Sequence, residues 1–295
     1  MRVSDDDRWP FSGREREESV DPRETSAELL IARALAFTDV DDDARAEQLA
    51  ALHILGDERV FAKALELIAS ESARERILAA DILGQLGSPR GRPFLEQSLA
   101  SLLDLCAREH IPDVLSAAVV AFGHLADGRA LPCVLRFAGH EDPGLRQSVA
   151  FALPPLIEEG EWVDGPGVEA LAALTDDPDD DVRDWATFGI GSQIQADTPQ
   201  VRDALSRRLE DENPDVAGEA LVGLARRADQ RAGDVVRRRL VDQDADIFVL
   251  EAAAELHEAD LLPLLKALEA TGWRQGSPES RLLHNALDEY DPSGA

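Results

Sequence analysis

The chain has 295 residues and a formal net charge of −29, from 59 acidic and 30 basic side chains. A field of this sign repels phosphate backbones and anionic lipids, which disfavours nucleic acids and membrane surfaces as partners and makes a basic protein one candidate. Solubility or adaptation of the host is the other explanation of the charge. Aromatic residues are only 5% of the chain, and its apolar residues are mainly Ala and Leu, which favours packed helices over sheets.

The N-terminal residues 1–24 are rich in charge, contain Trp9-Pro10-Phe11, and lack the apolar stretch of a secretory signal. We expect a disordered arm there, a folded region over residues 25–290 and a short tail over residues 291–295. No apolar run reaches the ~18 residues of a membrane span. Two cysteines without disulfide or zinc spacing fit a reducing compartment. The sequence therefore predicts a cytoplasmic protein that does not enter a membrane.

Within residues 25–290, a small residue is repeatedly followed four positions later by a large apolar one. The pairs are Ala51/Leu55, Ala79/Leu83, Ala118/Phe122, Val149/Leu153, Ala186/Ile190, Ala220/Leu224, Ala252/Leu256 and Ala286/Tyr290. Positions i and i+4 lie on one face of a helix, where the small residue lets a neighbouring helix approach. A second helical pattern precedes each pair, at residues 28–37, 60–68, 94–105, 131–137, 168–174, 201–209, 235–240 and 261–268. The sequence therefore predicts about eight helix hairpins.

The turns inside these hairpins are written in Asp, Asn and Pro, at residues 141–143, 176–179, 211–214 and 242–244. Such residues cap the N-terminus of a helix, and Pro is tolerated in its first turn. Four glycines stand near the ends of second helices, where a left-handed cap is common. They are Gly56, Gly84, Gly87 and Gly191.

Residues 174–190 (LTDDPDDDVRDWATFGI) and 209–224 (LEDENPDVAGEALVGL) share one pattern. Each has Leu, an Asp two positions on, then Pro, then Val with Ala four positions after it. This pattern resembles the HEAT repeat, in the short prokaryotic subtype first noticed in phycobiliprotein lyases. The resemblance covers roughly residues 25–290 and implies an all-α, right-handed α-solenoid; it is specific to fold and not to function.

The resemblance also implies a structural ladder between repeats. In this family a basic residue follows the apolar residue that opens the second helix, and it ties adjacent turns together through an Asp. Arg146 and Arg183 match the basic position, whereas Ala217 leaves a gap. The matching acids are Asp176, Asp211 and Asp242.

The aspartate runs at 176–181 and 242–246 have the alternate spacing of a calcium loop, but the second run continues to Ile247 and Ala253 where such a loop needs Gly and Glu. We therefore interpret both runs as helix caps. Cys106 and His110 offer only two metal ligands. The sequence contains no HExxH motif, nucleophile motif or phosphate-binding loop, so we predict no catalytic residue, metal or cofactor.

Two groups of residues are candidates for partner binding. Trp185, Phe188 and Phe151 are expected to form an aromatic patch on the concave surface made by the second helices, with core packing as the alternative. Arg146, Arg183 and Asp184 flank this patch in the sequence. The region 202–239 is rich in arginine and is a candidate grip for an acidic segment or phosphate, with a solvated convex face as the alternative. Its candidate residues are Arg226, Arg227, Arg237 and Arg238.

The leading hypothesis is a non-catalytic scaffold or adaptor that binds a protein on the concave face of the solenoid. An acidic inhibitor or immunity protein that neutralises a basic toxin or nuclease is the alternative. Relatives of this repeat type also include bilin lyases and DNA-alkylation-repair enzymes. A glycosylase needs a basic channel for DNA, which only residues 202–239 offer, and no residue points to a chromophore transfer.

Overall fold

The structure is a computed structural model that describes residues 26–37, 42–88, 91–158, 160, 163, 165–277 and 280–290. The predicted N-terminal arm, with Trp9-Pro10-Phe11, and the predicted C-terminal tail lie outside the described residues. Across the described ranges, no helix is long and apolar enough to cross a membrane.

The described residues form sixteen α-helices, which pair in chain order into eight hairpins, and no strand. The first helices of the hairpins are α1 (Ala27–Ala36), α3 (Glu58–Ile68), α5 (Leu95–Arg108), α7 (Leu131–Leu135), α9 (Pro166–Leu174), α11 (Pro199–Arg208), α13 (Gln230–Val241) and α15 (Leu262–Ala270). The second helices are α2 (Asp43–Leu55), α4 (Ala73–Gln85), α6 (Pro112–Leu125), α8 (Pro143–Ala152), α10 (Asp180–Phe188), α12 (Pro214–Arg226), α14 (Ile247–Leu256) and α16 (Ser280–Tyr290). The prediction of an all-α solenoid of about eight hairpins is confirmed.

The second helices begin where the sequence places polar caps. The side chains of Asp142, Asp179 and Asn213 accept hydrogen bonds from backbone amides of the first turns of α8, α10 and α12. In the seventh hairpin the cap is Asp246, which lies two residues beyond the predicted turn at 242–244. Each such cap contributes ~1 kcal/mol to helix stability, because it satisfies an amide that has no partner within the helix.

The second helices approach one another closely because small residues lie between them. A Cβ atom on Gly84 would stand 2.9 Å from the Cα of Ala121, and one on Gly223 would stand 2.7 Å from the Cα of Gly191. Gly84 and Gly191 therefore act in packing and do not have the left-handed conformation expected of them. Gly56 and Gly87 do have it, with φ angles of 49° and 67°.

The two layers of helices differ in how closely their members pack. Each second helix from α4 to α16 packs extensively against the next, whereas the first helices contact one another less. In a curved solenoid the more closely packed layer is expected on the inside of the curve. The exposed side chains of the second helices therefore line the concave side, and we call this surface the second-helix face.

Candidate functional site

The middle of the second-helix face carries a row of half-buried aromatic rings, which we call the aromatic stripe: Phe151 on α8 with Trp185 and Phe188 on α10. The ring centroids of Phe151 and Trp185 are 5.3 Å apart at 80°, and those of Trp185 and Phe188 are 6.2 Å apart at 76°. His124 of α6 extends the row, with its ring 5.4 Å from that of Phe151. Edge-to-face contacts of this kind hold the rings in place while part of each ring stays exposed.

The amino-acid spacing along α10 explains why the stripe faces outward. Val182 and Ala186 are fully buried and fix the inner side of the helix. Trp185 and Phe188 stand three residues apart on the neighbouring, half-buried side of the helix, together with Asp184. The structure thus brings together the three aromatic residues that the sequence singled out. Phe151 and Trp185 also pack on the core, so each has a buried and an exposed side.

A shallow apolar depression lies beside the stripe. Val120 of α6, Gln147 and Ser148 of α8, and the rings of Phe151 and Trp185 line it. It spans three consecutive second helices, as a surface that receives an apolar side chain would.

Carboxylates follow the stripe toward the C-terminal hairpins. Burial, followed by the negative charges of Glu251 and Asp184, raises the pKa of Glu219 to about 7. The pKa of Asp184 is also raised, by burial and then by the charges of Asp215, Asp181 and Asp180. Neither Glu219 nor Asp184 forms an ion pair among the described residues. This part of the face therefore holds negative charge that the protein itself does not neutralise.

Ion pairs between arginines and carboxylates connect neighbouring hairpins like the rungs of a ladder, and the first acid is shifted by one residue from the predicted one. Arg146 makes a two-point ion pair with Asp177, at 2.7 and 2.8 Å, and Arg183 does the same with Asp211, at 3.1 and 3.0 Å. The prediction named Asp176 for the first rung, but Asp176 pairs instead with Arg207 and Arg208. Asp177 takes the rung because its other contact caps the turn, where it accepts a hydrogen bond from the amide of Asp179.

The side chains of Arg146 and Arg183 therefore stabilise the fold and are not free to contact a partner. The Nη1 atom of Arg146, which does not bind Asp177, donates hydrogen bonds to the backbone carbonyls of His140 and Glu141. The Nη1 atom of Arg183 donates in the same way to the backbone carbonyls of Asp177 and Pro178. Asp242, the third predicted acid, is exposed and makes no ion pair among the described residues. The gap predicted at Ala217 accounts for this, because the sixth hairpin supplies no arginine to reach Asp242.

Sequence reasoning missed a third rung. Arg76 donates to Glu109 at 2.7 Å and to the carbonyls of Ser70 and Glu71 at 2.9 and 3.0 Å, which repeats the pattern of Arg146 and Arg183. Glu109 also accepts from the amide of Ile111, the residue before α6. The sequence signal for this rung was an arginine four residues after the N-cap residue of a helix. The rung was missed because its acid is Glu109, whereas the other rungs have Asp.

The ladder makes a testable contribution to stability. Replacing Arg183 with methionine should lower the free energy of unfolding by about 2–4 kcal/mol, because Asp211 would keep a charge that is almost buried and has lost its main partner. Replacing Arg207 with methionine is the matched control, since its ion pair with Asp176 is half exposed and should contribute about 0–1 kcal/mol. Urea unfolding at neutral pH measures both. Equal effects of the two substitutions would refute the ladder.

The ion pair between Arg183 and Asp211 also makes the stability of the fold depend on pH. Burial opposes ionisation of Asp211, but the hydrogen bonds from Arg183 and the amide of Asn213 outweigh it, so the pKa of Asp211 is lowered. Stabilisation by a carboxyl of lowered pKa is complete above its unfolded pKa of ~4 and is lost as the pH falls through its folded pKa. The difference in unfolding free energy between the wild type and Arg183→Met should therefore shrink below about pH 4, as urea unfolding at several pH values would measure. A difference that stays constant would contradict this assignment.

The arginine-rich region is largely neutralised by its own neighbours. Arg227 is only 9% exposed, and its guanidinium donates hydrogen bonds to five backbone carbonyls. They belong to Ile190, Gly191, Ile194, Ala196 and Gly223. Burial lowers the pKa of Arg227 to about 10, which leaves it charged at neutral pH. Arg227 is therefore an internal clamp and is not available to a partner, in contrast to the prediction.

The remaining arginines of this group differ in exposure. Arg226 bridges Glu251 and Glu255 of α14 at 2.9 and 3.1 Å. Arg237 pairs with Asp234, Glu258 and Asp260. Arg238 is exposed and forms no ion pair within the part of the chain that the structure describes. The region thus offers a partner little unpaired positive charge.

The described ranges contain no group of three His, Cys, Asp or Glu side chains placed to hold a metal ion. Cys106 and Cys133 are buried and are not joined to each other in a disulfide.

Comparison with known proteins places this geometry among helical repeats. The family described as HEAT repeats matches residues 168–258. Protein YibA of Escherichia coli (strain K12) is 32% identical over 124 residues, which are 42% of this chain and 42% of YibA. The match therefore spans less than half the length of that curated relative.

Solved structures extend the likeness of fold. The X-ray structure of YibA from E. coli aligns with a TM-score of 0.63 and 22% identity, over 90% of this chain and 97% of that one. Yeast importin-beta (Kap95p) aligns with a TM-score of 0.64 and 17% identity, over 90% of this chain and 40% of that one. The Kap95:Nup1 complex gives a TM-score of 0.61 at 16% identity, with the same coverage. At these identities the likeness shows a shared fold alone.

Proposed function

Since this chain is a HEAT-repeat protein, we propose that it is a scaffold or adaptor that binds a protein partner on its second-helix face. The observation that carries the proposal is the aromatic stripe, because large rings held rigidly and left partly exposed are the usual anchors of protein interfaces. Trp185 is the centre of the proposed site. The stacked hairpins supply an extended surface around it.

The fold is compatible with this role. Solenoids of this type are typically non-catalytic, and a protein of the same fold, Kap95, is found in complex with Nup1. The proposal assigns binding alone to the present chain, without a catalytic residue, metal or cofactor, and places it in the cytoplasm. Arg146 and Arg183 are no longer proposed as partner contacts, because their guanidinium groups are engaged in the ladder.

A narrower function has one observation in its favour. The unneutralised carboxylates of the second-helix face suit an inhibitor or immunity protein that captures a basic toxin or nuclease. Such a complex should weaken steeply as salt is raised, because charged surfaces steer its assembly. An affinity that is indifferent to salt would remove this candidate and leave the scaffold.

Site-specific photocrosslinking in an extract of the source organism tests the proposed face. A photoreactive amino acid in place of Ser148, in the depression beside the stripe, should capture a discrete protein partner. The control places the same group at Asp104, which is exposed on the first helix α5 on the other side of the stack. Capture from position 104 and not from position 148 would show that the face is wrong.

A further inference from the structure

We propose that the partner presents to the second-helix face a segment in which an apolar side chain is accompanied by arginine or lysine. The apolar side chain enters the depression beside Trp185, and the cation lies against Asp184 and Glu219. This inference rests on the proposed function and adds the chemistry of the partner to it.

The apolar half of the inference follows from the stripe itself. Val120, Phe151 and Trp185 expose carbon to solvent between consecutive helices, and Ser148 and Gln147 provide only a polar edge. An aliphatic or aromatic side chain buried there is stabilised because apolar surface is removed from water. A wholly hydrophilic segment would leave this surface uncovered.

The cationic half follows from charge complementarity along the same face. The outward positions of α10, α12 and α14 carry the carboxylates of Asp181, Asp184, Asp215, Glu219, Glu251 and Glu255. Arg226 is the basic residue among them, and it is already engaged by Glu251 and Glu255. The acids of the ladder differ from these carboxylates, because Asp177 and Asp211 each have an arginine partner. The carboxylates of this face that form no ion pair among the described residues thus lie next to the aromatic stripe: Asp181, Asp184, Asp215 and Glu219.

A cation near Glu219 would reduce the repulsion between this carboxylate and its acidic neighbours. Asp184 of α10 and Glu251 of α14 approach it from the two neighbouring helices, and both disfavour its negative charge. Arg226 on its own helix and the hydroxyl of Ser192, which donates to it at 3.4 Å, favour that charge only weakly. A guanidinium or ammonium placed between Asp184 and Glu219 would be attracted by both carboxylates, in a site that is partly shielded from water.

A specific pH dependence follows. The pKa of Glu219 is raised to about 7, so the group is substantially protonated at pH 6 and ionised at pH 8. Raising the pH therefore adds negative charge to the proposed cation site. A basic segment should bind more tightly at pH 8 than at pH 6, and a neutral apolar segment should show no such gain.

Fluorescence anisotropy of the full chain with labelled synthetic peptides tests the inference. The probe has a central Arg-Leu-Arg-Leu-Arg sequence between Gly-Ser flanks, and the comparison peptides replace either all Arg or all Leu with Ser. We expect the probe to bind at least tenfold more tightly than either comparison peptide. Glu219→Gln should weaken its binding severalfold and remove the gain between pH 6 and pH 8.

Glu212→Gln is the matched control, since it removes the same charge from the exposed turn before α12. It should leave binding unchanged. An equal loss from Glu212→Gln would show general attraction to an acidic protein and overturn the inference, as would a probe that fails to bind.

The peptides also separate the inference from the function it rests on. If the Ser-Leu-Ser peptide binds as tightly as the probe and loses affinity in Trp185→Ala, the basic partner is wrong and the docking face stands. If Trp185→Ala leaves probe binding unchanged, both the inference and the proposed face fail.

Discussion

Replacement of Arg227 by methionine is expected to lower the free energy of unfolding by about 3–5 kcal/mol, the range for removing one partner of a buried charged network. The five carbonyl oxygens around its guanidinium lie in the turn after α10 and at the end of α12. Methionine fills most of the volume but donates no hydrogen bond. Each carbonyl left buried without a donor costs roughly 1–3 kcal/mol before the turn relaxes.

Urea unfolding at neutral pH measures this effect. Arg238→Met is the matched control, because Arg238 is exposed on α13 and should change stability by no more than about 0.5 kcal/mol. Arg227→Lys should recover less than half of the loss, since an ammonium offers three donors from one point while the carbonyls surround a planar fork. A loss below about 1 kcal/mol for Arg227→Met would show that the clamp is dispensable.

Trp185→Ala is expected to weaken binding of the partner about 30-fold, which corresponds to ~2 kcal/mol, the lower limit for an interface hot spot. Trp185 contacts the rings on both sides of it, so its removal both deletes an anchor and loosens Phe151 and Phe188. The partner captured by crosslinking at position 148, or the arginine-leucine peptide, serves as the ligand. Isothermal titration gives the dissociation constant.

Trp273→Ala is the control for this substitution. Trp273 lies between α15 and α16, away from the stripe, and its ring contacts the guanidinium of Arg274. Its loss should leave affinity within about twofold of the wild type, the range of a near-neutral interface position. Circular dichroism must show that both variants keep their helices at the temperature of the titration. Equal affinities of the two variants would exclude Trp185 as an anchor.

The helix hairpins were predictable because their signals are local. Asp142, Asp179 and Asn213 each stand directly before an apolar periodic run, and both the cap and the periodicity depend on residues within one turn or one helix. The aromatic stripe was also accessible, since Trp185 and Phe188 share a helix face. Phe151 could be assigned to the same stripe because it lies on the second helix of the preceding hairpin.

Properties that depend on neighbouring hairpins were not predictable in the same way. Asp176 and Asp177 are adjacent and chemically identical, and only the position of Arg146 in the stacked structure distinguishes them. Arg226 and Arg227 are likewise adjacent. One lies on the surface and the other is buried, because the chain after α10 continues as a π-helical turn at Gly189–Gln193 that directs its carbonyls inward.

The raised pKa of Glu219 belongs to the same class. Its neighbours Asp184 and Glu251 are 35 and 32 residues away in sequence and come together only when α10, α12 and α14 stack. Composition indicated an acidic protein, but the concentration of unpaired carboxylates beside the stripe required the structure. Net charge alone therefore could not distinguish a binding surface from a solubilising one.

The most direct test of the docking face is fluorine NMR of the full chain labelled with 5-fluorotryptophan. The chain has four tryptophans, at positions 9, 162, 185 and 273, and single substitutions assign their signals. The proposed docking face requires that the partner, or the arginine-leucine peptide, shifts or broadens the signal of Trp185 and leaves that of Trp273 unchanged. A saturating ligand that leaves the Trp185 signal in place would contradict it.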